Sequence, residues 1–305
     1  MPDPYSLEVP KLENMFSERK VLLVVNPISG DKDKQEILLK VAARAEEDDY
    51  VLSIFSTTGV NDLGEIRNLV KNLCPDRILV AGGDGTISMV AEAVTGTDIV
   101  FGIIPAGSAN GLSADFGLSS DLDEAIEVAF GDQSIHVDAV RINDEISLHL
   151  SDIGLNALLV KNYENGDIRG KLGYALEMFK TLNEHENFRV RITTESATLE
   201  TEALVVIIAN AKKYGTGISI NPFGDMSDGL FEIVIAKRID FIETAKFLTG
   251  NASFDHDVME VLSVENAKIE CLDREVYFQV DGEYKGEVRE LNASILKGFV
   301  RIAVP

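Results

Sequence analysis

The sequence predicts an α/β fold with a doubly wound parallel sheet in its first half and a mainly antiparallel β-sandwich in its second half. Between Lys20 and Ala139, strand-sized apolar runs alternate with amphipathic helical segments, which is typical of a parallel sheet with helices on both faces. After Asp138, short β-like runs follow one another between Asn, Gly and Asp turns, which favours an antiparallel sandwich. We therefore expect two domains, residues 1–138 and 139–305, with roughly the last 10–15 residues as candidates to return to the first.

Two patterns define the elements of the first half. Val21–Val25 is a continuous apolar run that stops at Asn26-Pro27, as a buried parallel strand does. Asp33–Glu47 places its apolar residues on one helical face. By the same patterns we expect strands at Tyr50–Phe55, Arg77–Ala81 and Ile99–Ile104 and helices at Asp62–Leu73, Thr86–Val94 and Asp121–Phe130.

The second half is predicted to consist mostly of strands. Helices are expected only at Tyr174–Leu182 and Ile242–Thr249. The expected strands are Ala139–Ile142, Ile146–Ile153, Phe188–Thr193, Ala203–Ala209, Phe231–Ala236, Lys268–Cys271 and Val276–Val280.

Composition excludes several classes of protein. The 305 residues include 28 Lys and Arg against 51 Asp and Glu, a formal net charge of −23, whereas a nucleic-acid binder needs a basic surface. No apolar run approaches the roughly 18 residues of a membrane span, and the first 20 residues lack the apolar core of a signal peptide. We therefore expect a cytoplasmic protein, with the isolated Cys74 and Cys271 buried as reduced thiols.

A glycine-rich turn joins a predicted strand to a predicted helix. The sequence GGDGT, Gly82–Thr86, directly follows the apolar run Ile78–Ala81. Glycines let the backbone approach an anion closely, and the first N–H groups of a helix attract phosphate. The same turn could also serve only to pack the helix against the strand, so by itself it leaves both interpretations open.

Three other strand ends carry small polar residues at the same predicted sheet edge. NPISG, Asn26–Gly30, follows the first strand, Thr57 and Thr58 follow the second, and PAGSANG, Pro105–Gly111, follows the fourth. Packing alone does not explain four such ends, so a nucleotide crevice is the favoured interpretation.

These motifs together resemble the diacylglycerol kinase catalytic domain. GGDGT also occurs in 6-phosphofructokinases, NAD kinases and sphingosine kinases, but the set of NPISG, GGDGT and IPAGSANGL is most similar to the bacterial soluble lipid kinases. The resemblance extends through the second half, at Asn210–Gly217, Pro222–Leu230 and the DGE segment of Val280–Glu283. It covers nearly the whole chain from Lys20 onward and implies a first domain like those of 6-phosphofructokinase and NAD kinase.

The resemblance implies an ATP-dependent kinase that needs Mg²⁺ and phosphorylates a lipid alcohol, such as diacylglycerol or a sphingoid base. Ser108 stands where the bacterial family commonly has Thr, and Gly111 where it has Asp, which leaves the identity of the acceptor open. The residues that the resemblance assigns to ATP are Asn26, Ser29, Thr57, Gly82, Gly83, Asp84, Gly85, Thr86, Ile87, Ser88, Ser108 and Asn110.

Two carboxylates are candidates for the general base. Transfer of a phosphoryl group to a hydroxyl needs a carboxylate that orients the hydroxyl and accepts its proton. In the bacterial family the glutamate of DGE has this role, which points to Glu283, with Asp281 of the same segment as a further candidate catalytic residue. In sphingosine kinases the aspartate of GGDG has been given it, or the Mg²⁺, which points to Asp84. We favour Glu283 as the base and Asp84 as the organiser of phosphate and Mg²⁺, although Asp-Gly is also a common hairpin turn.

A second acidic turn is a candidate metal loop. Two carboxylates in the tight turn PFGDMSDGL can bind a hard cation if carbonyl oxygens complete the shell, although an acidic surface loop has the same sequence. Similar bacterial kinases hold a structural Mg²⁺ here, which implies the carboxylate of Asp228 and the carbonyls of Asp225 and Leu230 as ligands.

Other functions and partners stay open at this point. An NAD kinase-like enzyme shares GGDGT but does not account for IPAGSANGL or DGE, and a non-catalytic nucleotide or lipid sensor would not need Asp84 and Glu283. Residues 161–192 hold six basic and five acidic side chains, and residues 203–240 hold four of each, so we expect transient membrane contact through this less acidic face. An edge strand of the second half could also form a homodimer.

Overall fold

Four parallel strands and their helices form the first half of the chain. The computed structural model describes residues 18–30, 32–155, 157–158, 187–214, 218–219, 221, 224–237 and 259–305. In chain order the elements of the first half are β1 Arg19–Val25, α1 Lys34–Glu47, β2 Tyr50–Ser56, α2 Asp62–Leu73, β3 Arg77–Gly82, α3 Asp84–Val94, β4 Val100–Pro105, α4 Gly111–Asp115 and α5 Leu122–Phe130.

The parallel strands are adjacent in the order β2–β1–β3–β4, and β1, β3 and β4 are buried on both faces. Alternate residues of β1 pack into different cores: Leu22 and Val24 lie in one cluster, and Leu23 and Val25 lie in another. Burial on both faces explains why these strands are continuous apolar runs in the sequence. The parallel α/β architecture expected for this half is confirmed.

The second half contributes strands to two sheets. One six-stranded sheet, which we call the back sheet, has the order β14–β13–β10–β7–β16–β17 and is antiparallel throughout. The elements are β5 Ser134–Ile142, β6 Glu145–Ser147, β7 Leu150–Gly154, β8 Phe188–Thr194, β9 Thr198–Ala203, β10 Val205–Ala209, β11 Lys213–Tyr214, β12 Ile218–Ser219, β13 Phe231–Ala236, β14 Met259–Val264, β15 Asn266–Cys271, β16 Val276–Val280, β17 Glu283–Val288 and β18 Glu290–Ala303.

The long strand β18 joins the two halves into one ten-stranded sheet. It lies parallel to β4, with Arg301 opposite Val100, and antiparallel to β15 and β5. The order of the sheet is β2–β1–β3–β4–β18–β15–β8–β9, with β5 also paired to β18 and β6 paired to β5. A core that includes Phe188, Phe231 and Phe278 lies between its second-half strands and the back sheet. The expected antiparallel sandwich is thereby confirmed.

The prediction of one strand over Ile146–Ile153 is wrong. The structure breaks it into β6 and β7 at Leu148 and His149, because their N–H groups donate to the carboxylate of Asp281 at 2.9 and 3.1 Å. The polar edge strand β9 and most of β18 were also not expected from the pattern. The predicted helices at Tyr174–Leu182 and Ile242–Thr249 lie outside the described residues.

The expectation that both cysteines are buried holds for Cys271 only. Cys74 is exposed at the C-cap of α2, where its φ of 46° is left-handed. Burial raises the pKa of the Cys271 thiol to about 12. Among the helices that the structure describes, none has both the length and the apolar character needed to cross a membrane.

We expect Asp138→Ala to destabilise the fold by about 3 kcal/mol, because it leaves the buried N–H of Gly229 and the part-buried N–H of Gly298 without their charged acceptor. Asp138 is 3% exposed, and its carboxylate accepts the N–H of Gly229 and that of Gly298, each at 2.7 Å. The measurement is chemical denaturation followed by circular dichroism. Exposed Asp132, changed to Ala, is the control, and equal unfolding free energies for the two variants would contradict this role.

Candidate active site

The predicted strand ends meet at one edge of the parallel sheet. Backbone hydrogen bonds link the residues directly after the strands: Thr57 N–H donates to Val25 O (2.9 Å), Asn26 N–H to Ala81 O (3.0 Å) and Ala106 N–H to Gly82 O (2.9 Å). The four loops that carry the predicted nucleotide residues are therefore neighbours. This follows from the parallel strand order, which brings the carboxyl ends together.

The loops at this edge pack with backbone against backbone. A Cβ added to Gly107 would overlap the Cα of Gly83, and one added to Gly30 would lie 2.6 Å from the carbonyl oxygen of Ala106. Gly30 also has a left-handed φ of 52°. Glycine is thus required at these positions by close approach, and the loops form a surface made largely of main chain.

Both predicted asparagines use their side chains to shape the loops. Asn26 Nδ2 donates to Thr86 Oγ1 at 3.0 Å, and Ser29 Oγ donates to the carbonyl of Asn26 at 3.0 Å. Asn110, at a left-handed φ of 54°, accepts the N–H of Gly107 at 2.8 Å and donates back to its carbonyl at 2.9 Å. These residues hold the loop conformation that presents the main chain.

The GGDGT turn opens α3 and leaves its first turn available. Gly83 is the N-cap and has no side chain that could accept the N–H groups of the first turn of α3. The N–H of Thr86 donates to the Gly83 carbonyl at 3.0 Å. Gly85 is exposed there, and Ser108 is exposed in the neighbouring loop. Ile87 is fully buried in the core, so only its main chain could face a ligand.

Asp84 spans two of the loops. Its carboxylate oxygens accept the N–H groups of Gly111 at 3.0 Å and Leu112 at 3.1 Å, which caps the short helix α4. Gly111, which stands where the bacterial family has an aspartate, thus supplies a main-chain donor to Asp84. The first carboxylate of the candidate site is fixed by the loop after β4 rather than by its own helix.

Asp281 is the most heavily bonded carboxylate of the site. Four of its donors come from the segment between β6 and β7: Ser147 Oγ (2.7 Å) and the N–H groups of Leu148 (2.9 Å), His149 (3.1 Å) and Leu150 (3.2 Å). The fifth donor is Ser88 Oγ of α3, at 3.2 Å. Predicted as a catalytic residue, Asp281 is placed as an anchor between the back sheet and α3.

Glu283 faces the start of α3. Its Oε1 lies 3.5 Å from the position that a Cβ of Gly85 would occupy, and its side chain is exposed. Lys285 Nζ contacts both Glu283 Oε2 and Glu145 Oε2 at 3.1 Å. Burial acts to lower the pKa of Lys285, but hydrogen bonds to these two glutamates raise it above its usual value. The ammonium group therefore stays charged beside Glu283.

The two aspartates of the candidate metal loop form hydrogen bonds within the loop itself. The Asp225 carboxylate accepts the N–H and hydroxyl of Ser227 at 3.0 and 2.7 Å, and Asp228 Oδ1 accepts the N–H of Leu230 at 2.9 Å. No group of three or more His, Cys, Asp or Glu side chains suited to a metal occurs in the part of the chain that the structure describes. The donors present here are oxygens, which is the chemistry that Mg²⁺ prefers.

One buried pair was not expected from the sequence. His149 Nε2 lies 2.9 Å from Asp115 Oδ2, and these side chains are only 10% and 5% exposed. Asp115 ends α4, while His149 precedes β7. No spacing or motif signalled the pair, because its members are 34 residues apart and meet only through the tertiary fold.

Two family models match the chain, one for each half. The diacylglycerol kinase catalytic domain matches residues 20–142, and the YegS C-terminal NAD kinase beta sandwich-like domain matches residues 152–304. Together they include the four loops at the edge of the parallel sheet and the turn of Asp281 and Glu283.

Individual proteins are similar over most of the chain. An uncharacterized protein of Synechocystis sp. is 28% identical over 75% of the chain, although the match spans only 56% of that relative's length. A diacylglycerol kinase of Staphylococcus haemolyticus is 26% identical over 93% of the chain and 87% of its own. The crystal structure of a diacylglycerol kinase from Bacillus anthracis str. Sterne has the same fold, with a TM-score of 0.74 at 22% identity over 94% of this chain and 97% of that one.

The motifs, the fold and the match of both halves agree, and the chain belongs to the diacylglycerol kinase catalytic-domain family.

Proposed function

We propose that the protein transfers the γ-phosphoryl group of ATP to the hydroxyl of a lipid alcohol, diacylglycerol or a sphingoid base, with Mg²⁺. The observation that carries the proposal is the position of Glu283, whose carboxylate faces Gly85 at the open first turn of α3. A helix N-terminus that attracts phosphate and a carboxylate that can accept a proton then lie side by side.

The main chain of the four loops would hold the nucleotide phosphates. The helix dipole and the first N–H groups of α3 favour negative charge, and the glycines of GGDGT permit close approach. The exposed hydroxyl of Ser108 and that of half-buried Thr57 lie on the flanking loops, where they can donate to phosphate oxygens or ribose.

The carboxylates of Glu283 and Asp84 would have different roles in the reaction. Glu283 orients the acceptor hydroxyl and takes up its proton, while Lys285 holds the glutamate in place through an ion pair. Asp84 can bind a cation through the lone pairs that its two N–H bonds leave free. When bound there, Mg²⁺ neutralises charge on the phosphates. Asp281 fixes the turn that carries Glu283.

A structural Mg²⁺ at the metal loop is a second part of the proposal. Its ligands would be the carboxylate of Asp228 and the carbonyls of Asp225 and Leu230. Asp138 stabilises this loop, since it accepts the N–H of Gly229 and donates its own N–H to Met226 O at 2.7 Å.

Incubation with labelled ATP and Mg²⁺ should place label in a lipid alcohol. The acceptors to compare are diacylglycerol, sphingosine, NAD and small alcohols, and the products are separated by chromatography. Label in NAD alone would instead support an NAD kinase-like enzyme. ATP binding without any labelled product would support a nucleotide-sensing regulator.

Glu283→Gln should lower kcat by about 100-fold or more while nucleotide affinity is kept, because the amide cannot accept the proton. Turnover and ATP binding are measured separately, by product formation and by calorimetry. Exposed Glu275, at the opposite end of β16, is the matched control as Glu275→Gln. Full turnover in Glu283→Gln would exclude Glu283 as the base and leave Asp84 as the candidate.

Transient membrane contact is proposed for the less acidic stretch 203–240, which contains Lys212 and Lys213. Lys212 is exposed, and a few basic side chains contribute only about 1 kcal/mol each at an anionic surface, which fits brief contact. Arg169 and Lys171, in the less acidic stretch 161–192, lie outside the described residues.

Changing both Lys212 and Lys213 to Glu should therefore reduce activity on vesicles containing phosphatidylglycerol several-fold more than on detergent-dispersed substrate. The ratio of the two rates in the variant, relative to the unchanged protein, is the measurement. Equal loss on both forms of substrate would count against membrane contact through this stretch.

A further inference from the structure

Hydrogen bonds join three parts of the candidate site in a ring: the start of α3, the helix α4, and the turn of Asp281 and Glu283. Asp84 of α3 holds the start of α4 through Gly111 and Leu112, and Asp281 returns to α3 through the hydroxyl of Ser88. The last connection needed to complete the ring is between the end of α4 and Asp281. One residue outside the motifs makes this connection.

That residue is His149, which bonds in both directions. Its ring Nε2 lies 2.9 Å from Asp115 Oδ2 at the end of α4, and its main-chain N–H donates to Asp281 Oδ1 at 3.1 Å. Its carbonyl accepts the N–H groups of Asn210 at 3.1 Å and Ala211 at 3.2 Å. The main chain of His149 is therefore fixed to the back sheet, and its ring holds the end of α4 through Asp115.

Charge and burial make this contact more than a neutral hydrogen bond. Asp115 is almost wholly buried, and its Oδ1 has no hydrogen-bond partner among the residues that the structure describes. A buried carboxylate in that state needs a cation nearby. The charges of Asp281 and Asp84 also act on the ring, so three carboxylates favour its protonated form.

The electrostatic balance favours the protonated ring. Burial acts to lower the pKa of His149, but the hydrogen bond to Asp115 and the charges of Asp281, Asp115 and Asp84 outweigh it, and the pKa is raised above 6.5. With a carboxylate as acceptor, Nε2 carries the proton of the hydrogen bond.

We propose that His149 is a positioning residue of the phosphoryl transfer, which as an imidazolium holds α4 and Asp84 in register with the Asp281–Glu283 turn. Its effect on turnover rests on the proposed function. The protonation of its ring and the ion pair with Asp115 do not, so the two can be tested apart.

The first test needs no activity. With ¹³C-labelled histidine, NMR follows the ring of each of the 4 histidines against pH, and His149→Gln identifies the signal of residue 149. We expect His149 to titrate above about 6.5, and Asp115→Asn to lower its midpoint by about one pH unit or more. A midpoint at or below that value, or one unchanged by Asp115→Asn, overturns the proposal.

Stability should follow the same protonation. Because the pKa is raised on folding, the ion pair contributes fully below about pH 6.5 and is lost as pH rises through the native midpoint. The Tm difference between the unchanged protein and His149→Gln should thus be largest near pH 6 and shrink at higher pH. A difference that grows with pH has the wrong sign and contradicts a cationic ring.

Kinetics then test the positioning role. His149→Gln keeps a donor without the charge, and we expect kcat to fall about 10- to 100-fold. In the unchanged protein kcat should decline as pH rises through the midpoint measured by NMR, and this limb should be missing in the variant. His136→Gln, a change at an exposed histidine of β5, is the matched control.

The outcomes separate the two proposals. Without phosphoryl transfer to any acceptor, the proposed function fails while the titration and stability results stand. If phosphoryl transfer is observed but the pH profile of kcat is the same for His149→Gln and the unchanged protein, only the positioning role fails.

Discussion

The candidate site depends on the carboxylate of Asp281 more than on any other single group. Five donors converge on it, four from the segment between β6 and β7 and one from Ser88 of α3. Hydrogen bonds to an ionised acceptor are shorter and stronger than neutral ones, so this turn is held firmly. The φ values of Asp281 and Gly282, 47° and 89°, place both residues in the left-handed region that the tight turn requires. Glu283 faces α3 because this turn does.

Strand β18 provides the second constraint. It pairs with β4 of the parallel half and with β15 and β5 of the other half. The two halves are therefore connected by the hydrogen bonds of a shared sheet. Asp138 accepts the N–H of Gly298, where the pairing of β18 with β5 is irregular, and that of Gly229 in the metal loop. The loops of the site are therefore fixed by hydrogen-bonded sheet on both sides.

Negative charge is concentrated where a negative substrate is proposed to bind. Asp84, Asp115, Asp281 and Glu283 all belong to the three joined parts of the site, in a chain of net charge −23. Two cations balance them: Lys285 beside Glu283, and His149 among the aspartates. In the proposed function, the N-terminus of α3 and a divalent cation would attract the phosphates, so that an acidic site could still bind a nucleotide.

The sequence alone determined the strands and the longer helices of the first half, because burial on both faces of a parallel sheet leaves continuous apolar runs such as β1, and amphipathic periodicity marks α2 over Asp62–Leu73. It also placed Gly82–Thr86, Asn26–Gly30 and Pro105–Gly111 at one edge, since parallel strands end together. Only the tertiary structure decided what those residues touch. Asp84 meets α4, Asp281 breaks a predicted strand in two, and His149 meets Asp115, through contacts between residues 27 to 193 positions apart. Local periodicity carries no record of such partners, because each is selected by the packing of separate elements rather than by its neighbours in the chain.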